Sequence, residues 1–205
     1  MTTQVLAMSA HETDALAHPD ADLISRLIAG DEAAHRGFYR AHSAEVHRLA
    51  RRFVYSDAEA DEVVQEVFLS AFKAIDRFRG GSRLRTWLYR ITVNRALKRQ
   101  RWWSRRREVG SEPLDLHALR GPAPDVQAGD RQALVILQQC IDALEVRKRT
   151  VLVLHELEGL DTKEIALVLD CPRSTVLTRL SRARAELLRL AELAGIARPD
   201  EGDAR

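Results

Sequence analysis

The chain has 205 residues, of which 45% are hydrophobic and 30% are charged, and its formal net charge is only +2. This composition is that of a foldable protein with one medium domain or two small ones. No apolar run approaches the length that crosses a membrane, and the first 20 residues lack both a base and a long apolar core, so the sequence excludes a membrane span and a secretory signal.

The chain opens with a short arm, residues 1–20, that contains acids but no bases. Helical periodicity begins at Asp22, and Gly30 is suited to end this first helix. Asp31 is placed to cap a second helix over Glu32–Val54.

A third helix is predicted over Ala58–Phe78, capped by Ser56 or Asp57. Gly80-Gly81 then breaks the chain. Ser82 is placed to cap a fourth helix, which runs toward the tryptophan pair.

The amino-acid composition changes after residue 107. Residues 108–130 hold three prolines, and five acids against one base, which is typical of a flexible acidic linker. Four further helices are predicted, at about Arg131–Leu144, Arg147–Glu158, Asp161–Leu169 and Pro172–Ala194. We therefore predict an all-α protein of two small helical domains, residues 21–107 and 131–194, with a tail at 195–205.

The second domain carries a helix-turn-helix pattern, in which a short helix, the tight Asp170-Cys171-Pro172 turn and a longer helix follow one another. The apolar stripe of the longer helix consists of Val176, Leu180, Ala183 and Leu187. The opposite, small and polar face fits a major groove and consists of Ser174, Thr175, Thr178, Ser181 and Arg182. Phosphates would lie beside the flanking arginines Arg173, Arg184 and Arg179. A plain surface helix is less consistent with five Arg and one Glu over Arg173–Leu190.

The third helix has two contrasting sides. A broad apolar arc faces inward, and the other side carries Glu62, Gln65, Glu66 and Leu69. An exposed leucine framed by acids resembles the centre of a protein interface with a charged rim. An ordinary solvated acidic face with one stray leucine explains the same pattern equally well.

The fourth helix lies in a segment, Arg77–Arg107, that has twelve bases and no acid, which suits a polyanion. Its first half, with Leu84, Trp87, Leu88 and Ile91 on one arc, is expected to pack into the domain. After Asn94 bases occur all round the helix, so we expect that half to leave the core and to grip a phosphate backbone.

Neither metal nor catalytic chemistry is indicated. Cys140 and Cys171 lack disulfide or zinc spacing, which fits a reducing cytoplasm, and there is no phosphate loop, HExxH or GxSxG motif. We expect no cofactor, no small-molecule substrate, no membrane insertion and no enzymatic activity.

These residues resemble the extracytoplasmic-function (ECF) group of bacterial sigma factors over about Asp22–Arg107 and Arg131–Leu190. The text from Asp57 to Arg101, DAEADEVVQEVFLSAFKAIDRFRGGSRLRTWLYRITVNRALKRQR, resembles the family's region two. The resemblance implies that the clamp of core RNA polymerase binds at Asp61, Glu62, Gln65 and Glu66, next to Leu69.

The resemblance also implies two contacts with the minus-ten promoter element. A loop that captures a flipped base corresponds to Arg79, Gly80, Gly81, Ser82 and Arg83. The surface that meets the upstream edge of the melting duplex corresponds to Arg90, Asn94, Arg95, Lys98 and Arg99. The chain departs from the family at Gly81 and Arg83, where an acid and small or aromatic residues are common.

The second domain resembles region four, which reads the minus-thirty-five element. The implied contacts are Arg173, Ser174, Thr175, Thr178, Arg179, Ser181 and Arg182. Leu177 stands where the family commonly has a lysine, so that contact is not carried over.

The function implied is that of a cytoplasmic sigma factor. It binds the clamp and flap regions of core RNA polymerase, directs the polymerase to promoter DNA and helps to melt the minus-ten region, under the control of an anti-sigma factor. A conventional helix-turn-helix regulator explains the second domain equally well, and failure to bind core polymerase would favour it. An enzyme acting on nucleic acid would show turnover without polymerase.

Overall fold

The computed structural model describes residues 19–107 and 126–196, and the side chains of 19–101 and 132–196. These residues form eight α-helices and no strand. They divide into two compact units, one built mainly from the helices before residue 108 and one mainly from the helices after it. The all-α, two-domain prediction is confirmed. Most of the predicted arm and linker, most of the tail and the side chains of Trp102, Trp103 and Arg105–Arg107 lie outside the described residues.

The first unit contains four α-helices and one short 3-10 turn. They are α1 (Ala21–Ile28), α2 (Glu32–Arg51), α3 (Asp57–Ala74), the turn Ile75–Arg77, and α4 (Leu84–Arg107). The second and third helices end before their predicted limits of Val54 and Phe78. At the end of α3 the difference arises because the last turn tightens to 3-10 geometry, as is frequent at helix ends.

In the first unit the helix starts follow the predicted capping residues at two of three positions. Asp31 accepts hydrogen bonds from Ala33 N (2.8 Å) and Ala34 N (3.2 Å). Ser56 Oγ accepts one from Glu59 N at 3.2 Å. The start of α4 differs, because this helix begins at Leu84 and its cap position therefore falls one residue after Ser82.

The core of the first unit joins α2, α3 and α4. Apolar side chains of all three helices are buried there, among them Leu49, Val67 and Leu88. A polar cluster lies at its margin: Glu45 Oε1 accepts hydrogen bonds from Tyr89 Oη (2.7 Å) and Arg85 Nε (2.6 Å). The first half of α4 is thereby fixed against α2, as the sequence predicted for this half.

The second unit contains the remaining four α-helices. They are α5 (Val126–Ala143), α6 (Val146–Leu152), which continues as a π-helical turn over Val153–Leu157, α7 (Thr162–Leu169) and α8 (Arg173–Leu193). The first of them begins five residues before the predicted start at Arg131. The prediction treated Gly129 as part of the linker, but a single glycine inside a helix costs only about 1 kcal/mol.

Buried aliphatic side chains from all four helices pack together in the second unit, among them Leu154, Ile165 and Leu180. An ion pair of 2.6 Å between Lys148 Nζ and Glu186 Oε2 joins α6 to α8. The backbone of α8 is therefore held on its inner side, which leaves the outer side for other contacts.

Candidate nucleic-acid and protein interfaces

The acidic face of α3 is exposed, as the helical phase predicted. Glu62, Gln65, Glu66 and Leu69 all lie on the surface, and 60% of Leu69 is accessible. Val63, Val64, Val67 and Phe68, which alternate with them along the chain, are buried. Leu69 is therefore an exposed apolar side chain one helical turn from the exposed Gln65 and Glu66. The geometry suits a protein partner with an apolar pocket and a basic rim.

Asp61 lies beside this face, and its carboxylate contacts a histidine of α2. His47 Nε2 approaches Asp61 Oδ1 at 3.4 Å. The Asp61 side chain remains mostly accessible, so it extends the acidic face at the N-terminal end of α3.

The basic half of α4 contacts the acidic face directly, which the sequence did not predict. Arg99 forms an ion pair with Glu62 and lies 3.8 Å from Glu66. Arg95 Nη1 lies 3.7 Å from Glu66 Oε2, and Arg95 Nη2 donates a hydrogen bond to Ser70 Oγ at 2.9 Å. Two cations of the acid-free segment are therefore balanced by carboxylates from a neighbouring helix, since helix packing brings together residues about thirty positions apart.

The expectation that the second half of α4 leaves the core is wrong as far as residue 100. Val93, Ala96 and Gln100 are buried, at a spacing of three and four residues that places them on one stripe of the helix. Val93 is apolar and precedes Asn94, whereas Ala96 is small and Gln100 is polar, so hydropathy did not reveal that the buried stripe continues into the basic half. The arginines beside this stripe are only partly accessible, with 38% of the Arg95 side chain and 20% of the Arg99 side chain exposed.

An exposed row of polar residues on α4 consists of Arg90, Asn94 and Lys98. They follow one another at intervals of four residues and therefore form a row along the helix. Such a row of donors is suited to successive phosphates or base edges.

A groove of about 420 Å³ runs between α3 and α4. It is lined by Ser70 and Ala74 of α3 and by Trp87, Ile91, Asn94, Arg95 and Lys98 of α4. Sequence reasoning assigned Trp87 and Ile91 to the core, but both are only partly buried and form the apolar part of the groove. An apolar floor with amide and cationic groups at the rim can hold a planar, polar ring beside an anion.

The loop between the 3-10 turn and α4, residues 79–83, is accessible. Arg79, Gly80, Gly81 and Arg83 are exposed and Ser82 is partly buried. Gly80 has φ 71°, a left-handed conformation that favours glycine. The ring centroids of Phe78, which precedes the loop, and Trp87, in the first turn of α4, lie 5.3 Å apart.

The helix-turn-helix is formed by α7 and α8. Asp161 Oδ1 accepts hydrogen bonds from Glu164 N (2.8 Å) and Lys163 N (2.6 Å), and Glu164 Oε2 accepts one from Asp161 N (3.1 Å). This reciprocal capping box starts α7. The hydrogen bond from Glu164 N lowers the pKa of Asp161 below its ordinary value, so the cap stays ionised.

The turn into α8 has the tight geometry that the sequence predicted. Asp170 adopts φ 51°, and Cys171 N donates to the carbonyl of Ala166 at 3.1 Å. Residue types that tolerate the left-handed region include aspartate, which explains its place here.

The outer face of α8 carries the predicted residues. Arg173, Ser174, Thr178, Ser181 and Arg182 are exposed, and Thr175 and Arg179 are partly buried. Val176, Leu180 and Ala183 are buried on the inner side, although Leu187 is only partly so. This arrangement leaves an outer surface of small polar and cationic side chains, which are residue types that contact base edges and phosphates.

Two of the flanking arginines contact the protein itself. Arg173 Nε donates to Thr162 Oγ1 at 2.8 Å. Arg184 donates from Nε (2.8 Å) and Nη2 (2.6 Å) to Glu156 Oε1. Arg184 is thus turned toward the C-terminal turn of α6, and its hydrogen bond lowers the pKa of Glu156. A phosphate would have to compete with this carboxylate for the Arg184 guanidinium.

In the part of the chain that the structure describes, no cluster of three His, Cys, Asp or Glu side chains is arranged to hold a metal ion. None of the described helices combines the length and apolarity that a membrane span requires.

Comparison with known proteins places both units in one family. Residues 38–107 match the model of sigma-70 region 2, and residues 134–187 match that of sigma-70 region 4. The chain is 35% identical over 177 residues to the RNA polymerase sigma-H factor of Pseudomonas aeruginosa, covering 80% of this chain and 90% of that protein. It is 34% identical over 174 residues to the ECF RNA polymerase sigma-E factor of Escherichia coli K12, with the same coverage of 80% and 90%.

Solved structures with the same fold include two complexes. CnrH, bound to the cytosolic domain of CnrY, matches with a TM-score of 0.62 and 26% identity over 83% of this chain and 96% of that one. The sigma factor RpoE of Bartonella quintana, bound to the anti-sigma factor NepR, matches with a TM-score of 0.58 and 23% identity over 80% and 98%. The chain therefore belongs to the ECF group of RNA polymerase sigma factors, the subunits that direct the polymerase to promoters.

Proposed function

We propose that this sigma factor binds the clamp of core RNA polymerase through the acidic face of α3 and promoter DNA through two separate surfaces. The first DNA surface comprises the 79–83 loop, the groove beside Trp87 and the row Arg90, Asn94 and Lys98, which hold the melted minus-ten element. The second is the outer face of α8, which reads the duplex minus-thirty-five element.

The observation that carries this proposal is the exposure of Leu69 among Glu62, Gln65 and Glu66 in the same unit as the accessible basic row of α4. A conventional helix-turn-helix regulator needs only the second unit to bind DNA. DNA binding alone does not explain an acidic face with an exposed apolar side chain in the first unit. Arg95 and Arg99 have a different role from the one that charge alone suggests. Both neutralise carboxylates of α3, and a phosphate would meet them only at their accessible edges.

The polymerase contact is tested by Leu69→Ala, with Ile28→Ala as its matched control. Both side chains are aliphatic, lie in the same unit and are similarly accessible, at 60% and 52%. If Leu69 enters a pocket of the clamp, its truncation weakens binding to core polymerase by about 1–2 kcal/mol, whereas the control has no effect. Neither variant disturbs an ion pair, so a difference between them reports on the apolar contact alone.

Binding is measured as the affinity of each purified full-length variant for core polymerase from the source organism. Equal affinities of Leu69→Ala and wild type would contradict the clamp assignment. Absence of any binding by the wild-type chain would contradict the whole proposal. Transcription from a genomic template library with the same enzyme then identifies the promoters.

We also propose that the chain acts in the cytoplasm, has no catalytic activity of its own and is held inactive by an anti-sigma factor. The complex of Bartonella quintana RpoE with NepR supports the last point through the shared fold. Co-purification of the tagged chain from its source organism tests it: an anti-sigma partner would reduce transcription when added back to the holoenzyme.

A further inference from the structure

Asp20 links the starts of two helices that are far apart in the chain. Its backbone carbonyl accepts a hydrogen bond from Ile24 N at 2.9 Å, so Asp20 stands at the cap position of α1. Its side chain makes no capping bond to α1. Instead, Asp20 Oδ2 accepts a hydrogen bond of 3.0 Å from the backbone N of Leu84, and Leu84 is the first residue of α4.

This bond lies at one end of the 79–83 loop, and α1 contacts the other end. The helix packs against the 3-10 turn Ile75–Arg77, which precedes the loop, and Leu27 and Ile75 are both buried there. The segment 20–28 therefore touches the chain immediately before the loop and immediately after it. The loop itself is exposed and contains two glycines, so little within it restricts its shape.

We propose that Asp20 is a positioning residue for the 79–83 loop. Its carboxylate fixes the first amide of α4, and with it the C-terminal end of the loop, in the shape that meets the unpaired base of the minus-ten element. The inference rests on the proposed role of this loop in promoter binding. It gives a function to a residue at the end of the acidic arm, for which the sequence offered none.

A first experiment measures the cap without DNA. Amide hydrogen exchange of the full-length chain is compared for wild type, Asp20→Ala, Asp20→Asn and the control Asp22→Ala, whose side chain is exposed in the first turn of α1. Loss of a helix cap typically costs about 1 kcal/mol, which corresponds to about fivefold faster exchange at the amides it orders. We expect this at Leu84 and residues 80–83 in Asp20→Ala. Asp20→Asn, whose amide oxygen accepts the same bond, should be close to wild type, and Asp22→Ala should not differ from it.

A second experiment measures base selection. Holoenzyme is assayed on four templates that differ only at the unpaired minus-ten position, together with binding to duplex minus-thirty-five DNA. We expect Asp20→Ala to reduce the preference among the four bases by roughly fivefold while leaving binding to the minus-thirty-five duplex unchanged. Rescue of the preference by Asp20→Asn would support the role of the hydrogen bond.

The two experiments separate the possible failures. Unchanged exchange at Leu84 and the loop would overturn the proposal. Faster exchange with an unchanged base preference would overturn the positioning role. An equal loss of transcription on all four templates, together with a lower melting temperature of the variant, would overturn it as well. If wild type itself shows no base preference, the assignment of the loop to the minus-ten element fails, whereas the exchange data still decide whether Asp20 orders the loop.

Discussion

Replacing Arg182 with alanine should weaken recognition of the minus-thirty-five element, whereas replacing Arg184 should not. The two arginines lie two residues apart on α8 and are both exposed. They differ in direction, because Arg182 lies on the face of Ser174, Thr178 and Ser181 and Arg184 is bound to Glu156. The comparison holds residue type, helix and exposure constant and changes only the face.

The expected magnitudes follow from these surroundings. A bidentate contact between arginine and a base edge contributes about 1–3 kcal/mol of discrimination, which is roughly a 5- to 150-fold change in Kd. The Arg184–Glu156 pair has accessible side chains, 53% and 42% exposed, so its loss should reduce stability by less than about 1 kcal/mol. Arg184→Ala should leave the affinity for DNA within about twofold of wild type, since its guanidinium is already engaged.

Fluorescence anisotropy of the holoenzyme with a minus-thirty-five duplex and with a scrambled duplex measures both effects, at several salt concentrations. Arg182→Ala should lose affinity for the specific duplex only. An equal loss on both duplexes, with a salt dependence reduced by about one counterion, would make Arg182 a phosphate contact. A greater loss from Arg184→Ala than from Arg182→Ala would refute the assignment of the outer face of α8.

Two further predictions concern stability. Burial alone would raise the pKa of Glu45, but hydrogen bonds from Arg85 and Tyr89 outweigh it and lower this pKa below its ordinary value. The carboxylate therefore stabilises the fold fully above the ordinary glutamate pKa of about 4.3, and this contribution is lost as the pH falls below that value through the lowered pKa. In thermal melts the gap in Tm between wild type and Glu45→Gln should be largest near neutral pH and should shrink below about pH 4.3; a constant gap would contradict this. Ile165→Ala, at a side chain with 0% exposure, should reduce the free energy of unfolding by about 2–5 kcal/mol in denaturant titrations, whereas the exposed Leu177→Ala should change it by less than about 0.5 kcal/mol; similar losses would mean that Ile165 is not a core residue.

Much of the fold could be predicted from helical phase and capping residues. On α3 the exposure of Glu62, Gln65, Glu66 and Leu69 follows from the position of the intervening valines. On α8 the buried stripe and the polar face separate in the same way. These features depend on neighbours within one helix, and a sequence carries that information locally.

What escaped prediction depends on contacts between helices. Arg95 and Arg99 form ion pairs with carboxylates of α3. Asp20 accepts a hydrogen bond from the amide of Leu84, which lies 64 positions further along the chain. The burial of Gln100 similarly needs a neighbouring helix to cover it. From composition alone these arginines are expected to be unpaired positive charges. A run of charges within one helix does not reveal the opposite charges that packing of another helix places beside it.

The carboxylates of Glu62 and Glu66 belong to two surfaces at the same time. Each is exposed on the side of α3 assigned to polymerase, and each also balances an arginine on the helix assigned to DNA. Single substitutions at either glutamate therefore have an ambiguous phenotype in any genetic screen, because a defect in polymerase binding and a gain of positive charge toward DNA arise together. Double variants, in which the facing arginine is neutralised as well, restore the charge balance and make the two defects separately measurable.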